Sequence, residues 1–98
     1  MEKPFNNLSP AQAERLDLVT EEMGEVLHAI GKIKRHGYNS FNPNDILSNS
    51  NKQNLEEKLG HLLYAINLLS LYGEVWQSRI DDYQYCRENT IKQWMHHQ

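Results

Sequence analysis

The stretch Ser9–His36 reads SPAQAERLDLVTEEMGEVLHAIGKIKRH and predicts one long amphipathic helix. Its apolar residues recur at steps of three and four, the spacing of one helix face; they are Leu16, Val19, Met23, Val26, Leu27, Ile30 and Ile33. Ser9 is a suitable N-cap, Pro10 suits the first helical position, and Gln12 can complete a capping box. Gly37 is a suitable stop, and the cationic residues just before it suit the negative end of the helix dipole.

The rest of the chain predicts a loop and two further helices. Residues 38–53 are rich in Asn, Ser and Pro without a period, so they predict a loop. The second helix ends near Gly73 and carries an apolar stripe of Leu55, Leu59, Leu62, Leu63, Ile66 and Leu69. The third runs from about Trp76 to Trp94, with one side formed by Ile80, Tyr83, Arg87, Ile91 and Trp94. Its apolar content is thin, so we expect it to pack on another subunit. Because no alternation of strands and helices is seen, we predict an all-α fold and one domain, residues 1–98.

Composition restricts the partners of the chain. A chain of 98 residues has a modest core and can need a partner subunit to bury enough surface. The net charge of −3 gives no basic footprint for a DNA or RNA polymer, and no apolar run approaches the length of a membrane span. The start Met1-Glu2-Lys3-Pro4 lacks the apolar stretch of a secretory signal. The single cysteine, Cys86, excludes an intrachain disulfide, so we expect a cytoplasmic protein and an unreactive helix residue at this position.

The first two helices carry matched charged segments. The first contains Glu21-Glu22-Met23-Gly24-Glu25, and the second contains Glu57-Lys58-Leu59-Gly60-His61. At about 100° per residue, Glu22 and Glu25 lie beside the apolar stripe of their helix. Lys58 and His61 have the same angular offsets in the second helix. If the two stripes pack together, an acidic pair therefore faces a lysine and a histidine.

Several segments together carry a family resemblance. They are Leu8-Ser9-Pro10-Ala11-Gln12-Ala13-Glu14-Arg15-Leu16, Glu21-Glu22-Met23-Gly24-Glu25-Val26, Ala29-Ile30-Gly31-Lys32, Arg35-His36-Gly37-Tyr38, Leu59-Gly60 and Trp94-Met95-His96-His97-Gln98. With them the chain resembles small MazG-like proteins, often encoded by phages, which belong to the all-α nucleoside triphosphate pyrophosphatases. The resemblance covers most of the chain. It implies a helical bundle of two long antiparallel helices and a C-terminal helix, completed by dimer or tetramer formation, with a nucleotide cleft at a subunit interface.

The resemblance also implies a metal site, from which this chain departs. Active members of the family hold magnesium with a Glu-Glu-x-x-Glu segment and a later Glu-x-x-Asp segment, and they release a monophosphate and pyrophosphate. Glu22 and Glu25 match the ligands of the first segment, and Glu21 matches its leading glutamate. In the second segment Lys58 stands where the family has Glu, and His61 stands where it has Asp.

This departure argues against a metal cofactor. Two carboxylates, one ammonium and a neutral imidazole leave one net negative charge, where the family presents four. Magnesium prefers oxygen ligands and gains little from imidazole. An ammonium near the site repels a cation by about 4 kcal/mol per unit charge at an effective dielectric constant near 20. Lys58 can instead lie between Glu22 and Glu25 or contact a ligand phosphate. We therefore expect no metal cofactor and no catalytic residue.

The leading interpretation is a non-hydrolytic nucleotide-binding protein. For a phage-type protein, a coherent use is a sponge that sequesters a host immune-signalling nucleotide. Lys32, Arg35 and His36 are expected to meet phosphate, and Tyr38 or Phe41 can stack on a base or anchor the loop. The complete set of predicted nucleotide-binding residues is Glu21, Glu22, Glu25, Lys32, Arg35, His36, Tyr38, Lys58, His61 and Trp94.

Other interpretations stay open at this point. One is a metal-dependent pyrophosphatase, in which Glu22, Glu25, Glu57 and His61, with Glu21, regroup around magnesium or manganese. Glu57 and His61, one turn apart, suit a transition metal better. Another is a helical oligomerisation module without a small ligand. In that case the charged segments form a solvated surface of ion pairs that add little stability.

Overall fold

The computed structural model describes residues 5–98 and contains three helices: α1 (Pro10–His36), α2 (Asn51–Leu71) and α3 (Gln77–Ile91). The described residues contain no strand beyond an isolated bridge between Phe41 and Ser50, so the all-α prediction is confirmed. Contacts divide the chain into two units, residues 1–68 and 69–98. No helix within residues 5–98 is both long enough and apolar enough to cross a bilayer. The expectation about Met1–Pro4 concerns residues outside the described part.

Helix α1 begins and ends where the sequence predicts. The Ser9 hydroxyl accepts a hydrogen bond from the backbone N–H of Gln12 at 3.1 Å. The side-chain oxygen of Gln12 accepts the N–H of Ser9 at 2.9 Å, which completes the capping box. At the other end Gly37 has φ +86°, a backbone conformation that favours glycine, and its N–H donates to the carbonyl of Ile33 at 2.7 Å.

Helix α2 begins earlier than predicted. The Ser50 hydroxyl accepts the N–H of Gln53 at 3.1 Å, and the Gln53 side chain accepts the N–H of Ser50 at 2.8 Å. This is a second capping box with the same Ser-x-x-Gln spacing as the first. The prediction of a loop over residues 38–53 is therefore wrong at its end, because the helix starts at Asn51. The predicted end near Gly73 agrees with the last helical residue, Leu71.

The capping box of α2 leads to a stability prediction. Replacing Ser50 with alanine removes the side-chain acceptor for the Gln53 N–H, so we expect the free energy of unfolding to fall by about 1 kcal/mol. Urea unfolding followed by circular dichroism measures this change. The matched control is Ser78→Ala, because Ser78 is exposed on α3 and is not the N-cap of that helix. Equal stability of the two variants would mean that the cap contributes nothing.

Helices α1 and α2 run antiparallel. Glu25 lies opposite Lys58, and Glu22 lies opposite His61, so a step of three residues forward along α2 is a step of three back along α1. The loop between them is tied to the start of α2 by the buried Asn51. Its side-chain amide donates to the carbonyl of Gly37 at 3.0 Å, and its backbone N–H donates to the carbonyl of Ser40 at 2.8 Å. The two long antiparallel helices are as predicted.

The buried seam between α1 and α2 is narrower than the predicted stripes. Val26 and Ala29 are buried on α1, and Ala65 on α2 is completely buried. Because alanine side chains let helices approach closely, the seam admits few large side chains. Not all residues of the two stripes pack into this seam: six of them stay 39% to 69% exposed, namely Leu16, Met23, Leu27, Ile30, Leu59 and Leu63.

These six side chains share one side of the helix pair, which we call the apolar side. On each helix they are rotated by about 100° from the seam in the same sense along the chain. In an antiparallel pair, equal rotations from the seam bring both sets to the same side. The charged segments lie over the seam and toward the opposite side.

Helix α3 is shorter than predicted. It spans Gln77–Ile91, and the three residues that follow form a turn in which the N–H of Trp94 donates to the carbonyl of Ile91 at 2.9 Å. Hydrogen bonds between residues three apart commonly form the last turn at a helix end. Because such a turn continues the helix with a similar residue spacing, the apolar pattern predicted a longer helix. No α3 residue is buried, and Cys86 is exposed. The predicted thin apolar content agrees with this exposure.

Candidate functional site

Two charged pairs lie over the seam of α1 and α2. The ammonium nitrogen of Lys58 lies 3.9 Å from Glu25 Oε2 and 3.3 Å from Glu57 Oε1. His61 Nδ1 lies 3.7 Å from Glu22 Oε2. The predicted juxtaposition of an acidic pair with a lysine and a histidine is confirmed. The ammonium contacts Glu25 and Glu57, whereas Glu22, one turn away, faces His61 because the helices are antiparallel.

Glu22 is the most enclosed of these carboxylates. Its side chain is 17% exposed, and its Oε2 atom is buried and accepts no hydrogen bond from any residue that the structure describes. The distance to His61 Nδ1 is too long for a hydrogen bond. A buried carboxylate oxygen without a donor is unfavourable. A hydrogen-bond donor on a ligand or a partner protein would therefore interact favourably with this oxygen of Glu22.

A cavity that we call the basic pocket lies where the loop meets both helices. It has a volume of about 380 Å³. Helix α1 contributes Lys32, Arg35 and His36, whose spacing places them near one another at the helix end. The remaining lining residues are Ser40, Phe41, Asn42, Pro43, Asn51 and Asn54. The pocket therefore combines three basic side chains with amides and one aromatic ring.

A second cavity, the polar pocket, adjoins the first. Its volume is about 440 Å³, and it is lined by Glu25, His28, Ala29, Lys32, Asn42, Asn44, Asp45, Asn54 and Lys58. Lys32, Asn42 and Asn54 border both pockets. Ligand sites for small molecules commonly measure about 300–1,000 Å³, so the two adjoining pockets have the size of such a site. They differ in charge, because two carboxylates line the polar pocket.

The loop wall of both pockets is held by side-chain to backbone bonds. Asn42 Oδ1 accepts the N–H of Asn44 at 2.9 Å, and Asp45 Oδ1 accepts the N–H of Leu47 at 3.0 Å. The N–H of Asp45 also donates to the carbonyl of Asn42 at 2.9 Å. Asn and Asp favour turns through bonds of this kind. The loop is thus positioned by its own residues and not only by packing.

The structure brings part of the predicted site together. Lys32, Arg35 and His36 meet in the basic pocket, and Glu25 and Lys58 line the polar pocket. Glu22 and His61 lie in a separate cavity of about 330 Å³, which they share with Leu18 and Tyr64. The predicted set is therefore divided among three neighbouring depressions on the helix pair.

Three other predicted residues lie elsewhere. Glu21 is exposed on α1. Tyr38 is 58% exposed outside the basic pocket, and its backbone carbonyl accepts the N–H of Lys52 at 2.9 Å. Phe41, the alternative stacking residue, does line that pocket. Trp94 belongs to the unit of residues 69–98 and is 73% exposed.

The pocket residues that the sequence interpretation missed include these four: His28, Asn42, Asp45 and Asn54. Helical spacing could have found two of them, because His28 lies four residues before Lys32 and Asn54 lies four before Lys58. The other two belong to an Asn-Pro-Asn-Asp run, which is typical of turns stabilised by side-chain oxygens. Only the fold of the loop places that run against the helices.

The alternative metal ligands do not form one cluster. Among residues 5–98, no three His, Cys, Asp or Glu side chains are placed to hold one metal ion. The ammonium of Lys58 lies within 4 Å of both Glu25 and Glu57. A magnesium ion at these carboxylates would meet this fixed positive charge and, at His61, a nitrogen ligand that it does not prefer. The donor set does not fit magnesium.

Comparison of the chain with protein-family models, with curated proteins and with solved structures finds no match.

What the site can bind follows from its side chains. The basic pocket offers cationic donors for an anion, and the polar pocket offers carboxylate acceptors for donor groups. The two adjoin across a shared wall. This arrangement suits a ligand with an anionic end and a hydrogen-bonding end.

Proposed function

We propose that the chain is a nucleotide-binding protein of MazG-like fold that holds its ligand without hydrolysing it. The observation that carries this proposal is the Lys58 ammonium, 3.9 Å from Glu25 and 3.3 Å from Glu57. In the family that the chain resembles, carboxylates at this place hold magnesium. Here a side-chain cation already contacts Glu25 and Glu57 and offsets part of their charge, so an incoming dication would have to displace it.

The binding half of the proposal is supported by the basic pocket. Arg35 can hold two phosphate oxygens at once through its planar guanidinium, and Lys32 adds a second cationic side chain. The half-exposed ring of Phe41 offers a face for a base or a sugar. A phosphorylated ligand would thus find complementary charge without a metal ion.

The apolar side supports homo-oligomer formation. Six apolar side chains on one surface are more than a monomer usually leaves in water, and such patches mark interaction sites. A second copy of the helix pair would cover them in a four-helix arrangement, with the same residues on both sides of a symmetric interface. A dimer, or a tetramer built from dimers, is the expected form.

The proposed use is sequestration. A protein that removes a nucleotide signal from solution needs tight binding and slow release, and it gains nothing from a metal-activated water. The resemblance to phage proteins makes a host immune-signalling nucleotide our candidate ligand. The proposed place of action is the cytoplasm, with no DNA or RNA polymer as partner.

A pyrophosphohydrolase is the second candidate function. The buried oxygen of Glu22, which accepts no hydrogen bond within residues 5–98, favours it because metal ions bind such oxygens. This enzyme would need Glu25, Glu57 and His61 to regroup with Glu22 around magnesium or manganese. Lys58 would first have to turn away from both of its carboxylate partners.

Calorimetry with nucleoside triphosphates, with and without a chelator, tests the proposal. We expect the same affinity in both conditions, and no monophosphate or pyrophosphate after prolonged incubation. Release of pyrophosphate that depends on magnesium would establish the enzyme instead. Absence of binding to any nucleotide would leave a helical oligomerisation module.

A further inference from the structure

We infer that the ligand places its phosphate in the basic pocket and an amino-bearing base in the polar pocket. The site would then bind a base that carries an exocyclic amino group, such as adenine, more tightly than the same base without that group. This inference rests on the proposed nucleotide binding and adds the chemical class of the base.

The first step is the contrast in charge between the two pockets. None of the described residues that line the basic pocket is acidic, so Lys32 and Arg35 give it an excess of positive charge, whereas in the polar pocket Glu25 and Asp45 balance the two lysines. A phosphate is repelled by carboxylates and attracted by guanidinium and ammonium groups. The anionic end of the ligand is therefore assigned to the basic pocket, which orients the rest of the molecule.

The second step is the chemistry of Asp45. Its Oδ1 atom accepts the N–H of Leu47 at 3.0 Å, which fixes the carboxylate against the loop. An ionised carboxylate only accepts hydrogen bonds, and its two oxygens accept more than one. Glu25 is already 3.9 Å from the Lys58 ammonium, so Asp45 is the acceptor that a ligand meets without displacing a cation. An exocyclic amine donates to such an oxygen, whereas a base carbonyl repels it.

The third step is continuity. Lys32, Asn42 and Asn54 line both pockets, so one ligand can occupy them together. The amide side chains of Asn42 and Asn54 both donate and accept, which suits a sugar or a base edge along the shared wall. A nucleotide has the charge separation that this pair of pockets requires.

The test compares ATP with purine riboside triphosphate, which differ at the base only by the exocyclic amino group. Both are titrated into the full chain by calorimetry in the presence of chelator. We expect ATP to bind at least about ten-fold more tightly, the effect of one hydrogen bond to a charged acceptor. Equal affinities would overturn this inference and leave the proposed function standing. No binding of either nucleotide would overturn the proposed function itself.

Two variants separate the pockets. Asp45→Asn keeps an oxygen for the Leu47 N–H and is expected to reduce the ratio of the two affinities to near one. Arg35→Gln is expected to weaken both nucleotides by about ten-fold without changing their ratio. The matched control Asp82→Asn, at an exposed position of α3, is expected to change neither quantity. Circular dichroism checks that each variant is folded. An unchanged ratio in Asp45→Asn would overturn the role of this carboxylate.

Discussion

Replacing Lys58 with glutamate and His61 with aspartate in one variant is expected to create or strengthen a magnesium site. The parent places an ammonium 3.9 Å from Glu25 and an imidazole 3.7 Å from Glu22. The double variant puts carboxylates at both places, so four acidic side chains would converge over the seam. Magnesium binds such oxygen ligands and keeps the rest of its shell as water.

The size of this effect follows from charge. At about 4 Å and an effective dielectric constant near 20, each pair of unit charges interacts by about 4 kcal/mol. Solvent weakens this at a half-exposed site, since the side chains of Glu25 and Glu57 are 48% and 50% exposed. Even a strongly reduced interaction leaves a large change in magnesium affinity, because Lys58→Glu replaces a positive charge facing the dication with a negative one. We expect magnesium to bind the variant at least about 100-fold more tightly.

Calorimetric titration of magnesium into both proteins measures the change. The matched control is Lys92→Glu with His96→Asp, which makes the same exchanges in the unit of residues 69–98. We expect this control to bind magnesium no better than the parent. If the site variant behaves like the control, these side chains do not meet across the seam as described.

Replacing Leu27 or Leu63 with lysine is expected to convert the proposed oligomer to monomers. These are the most exposed residues of the apolar side on α1 and on α2, at 69% and 60%. Covering a leucine side chain contributes about 1.5–3 kcal/mol, and a symmetric dimer covers each position twice. A lysine at either position would not contribute this free energy of burial, and it would add a charge that the interface would have to bury. We expect each variant to raise the dissociation constant at least about 100-fold.

Sedimentation velocity over a range of micromolar concentrations measures this association. Ile46→Lys is the matched control, because Ile46 is 97% exposed on the loop and lies outside the apolar side. It makes the same kind of exchange, so we expect it to associate like the parent. A parent that sediments as a monomer at all concentrations would contradict oligomer formation through this surface.

The charged part of the candidate site could be predicted well from the sequence. Glu22 and Glu25 lie at the same angular offsets from the seam on α1 as Lys58 and His61 do on α2. In an antiparallel pair of helices, these equal offsets bring the two charged pairs together. The basic cluster at the end of α1 was also evident, because Lys32, Arg35 and His36 lie close together in the chain. The loop wall of the pockets could not be predicted, because only the tertiary fold of the loop places Asn42 and Asp45 against the helices.

By itself the sequence determined where α1 begins and ends and that the fold is all-α. These features depend on bonds between residues at most four apart, such as the pair formed by Ser9 and Gln12. The start of α2 was encoded in the same way, although the prediction overlooked the signal at Ser50 and Gln53. Local hydrogen bonds need no information from the rest of the chain.

Only the tertiary structure decided which apolar residues are buried and which cavities exist. Helical spacing predicts a broad apolar stripe on each helix, but the rotation of each helix in the pair is set by how closely the backbones approach. The buried Ala29 and Ala65 allow a close approach, which leaves Leu27 and Leu63 on the surface. The two pockets likewise require the loop to fold back on both helices, and contacts between residues so distant in the chain depend on packing.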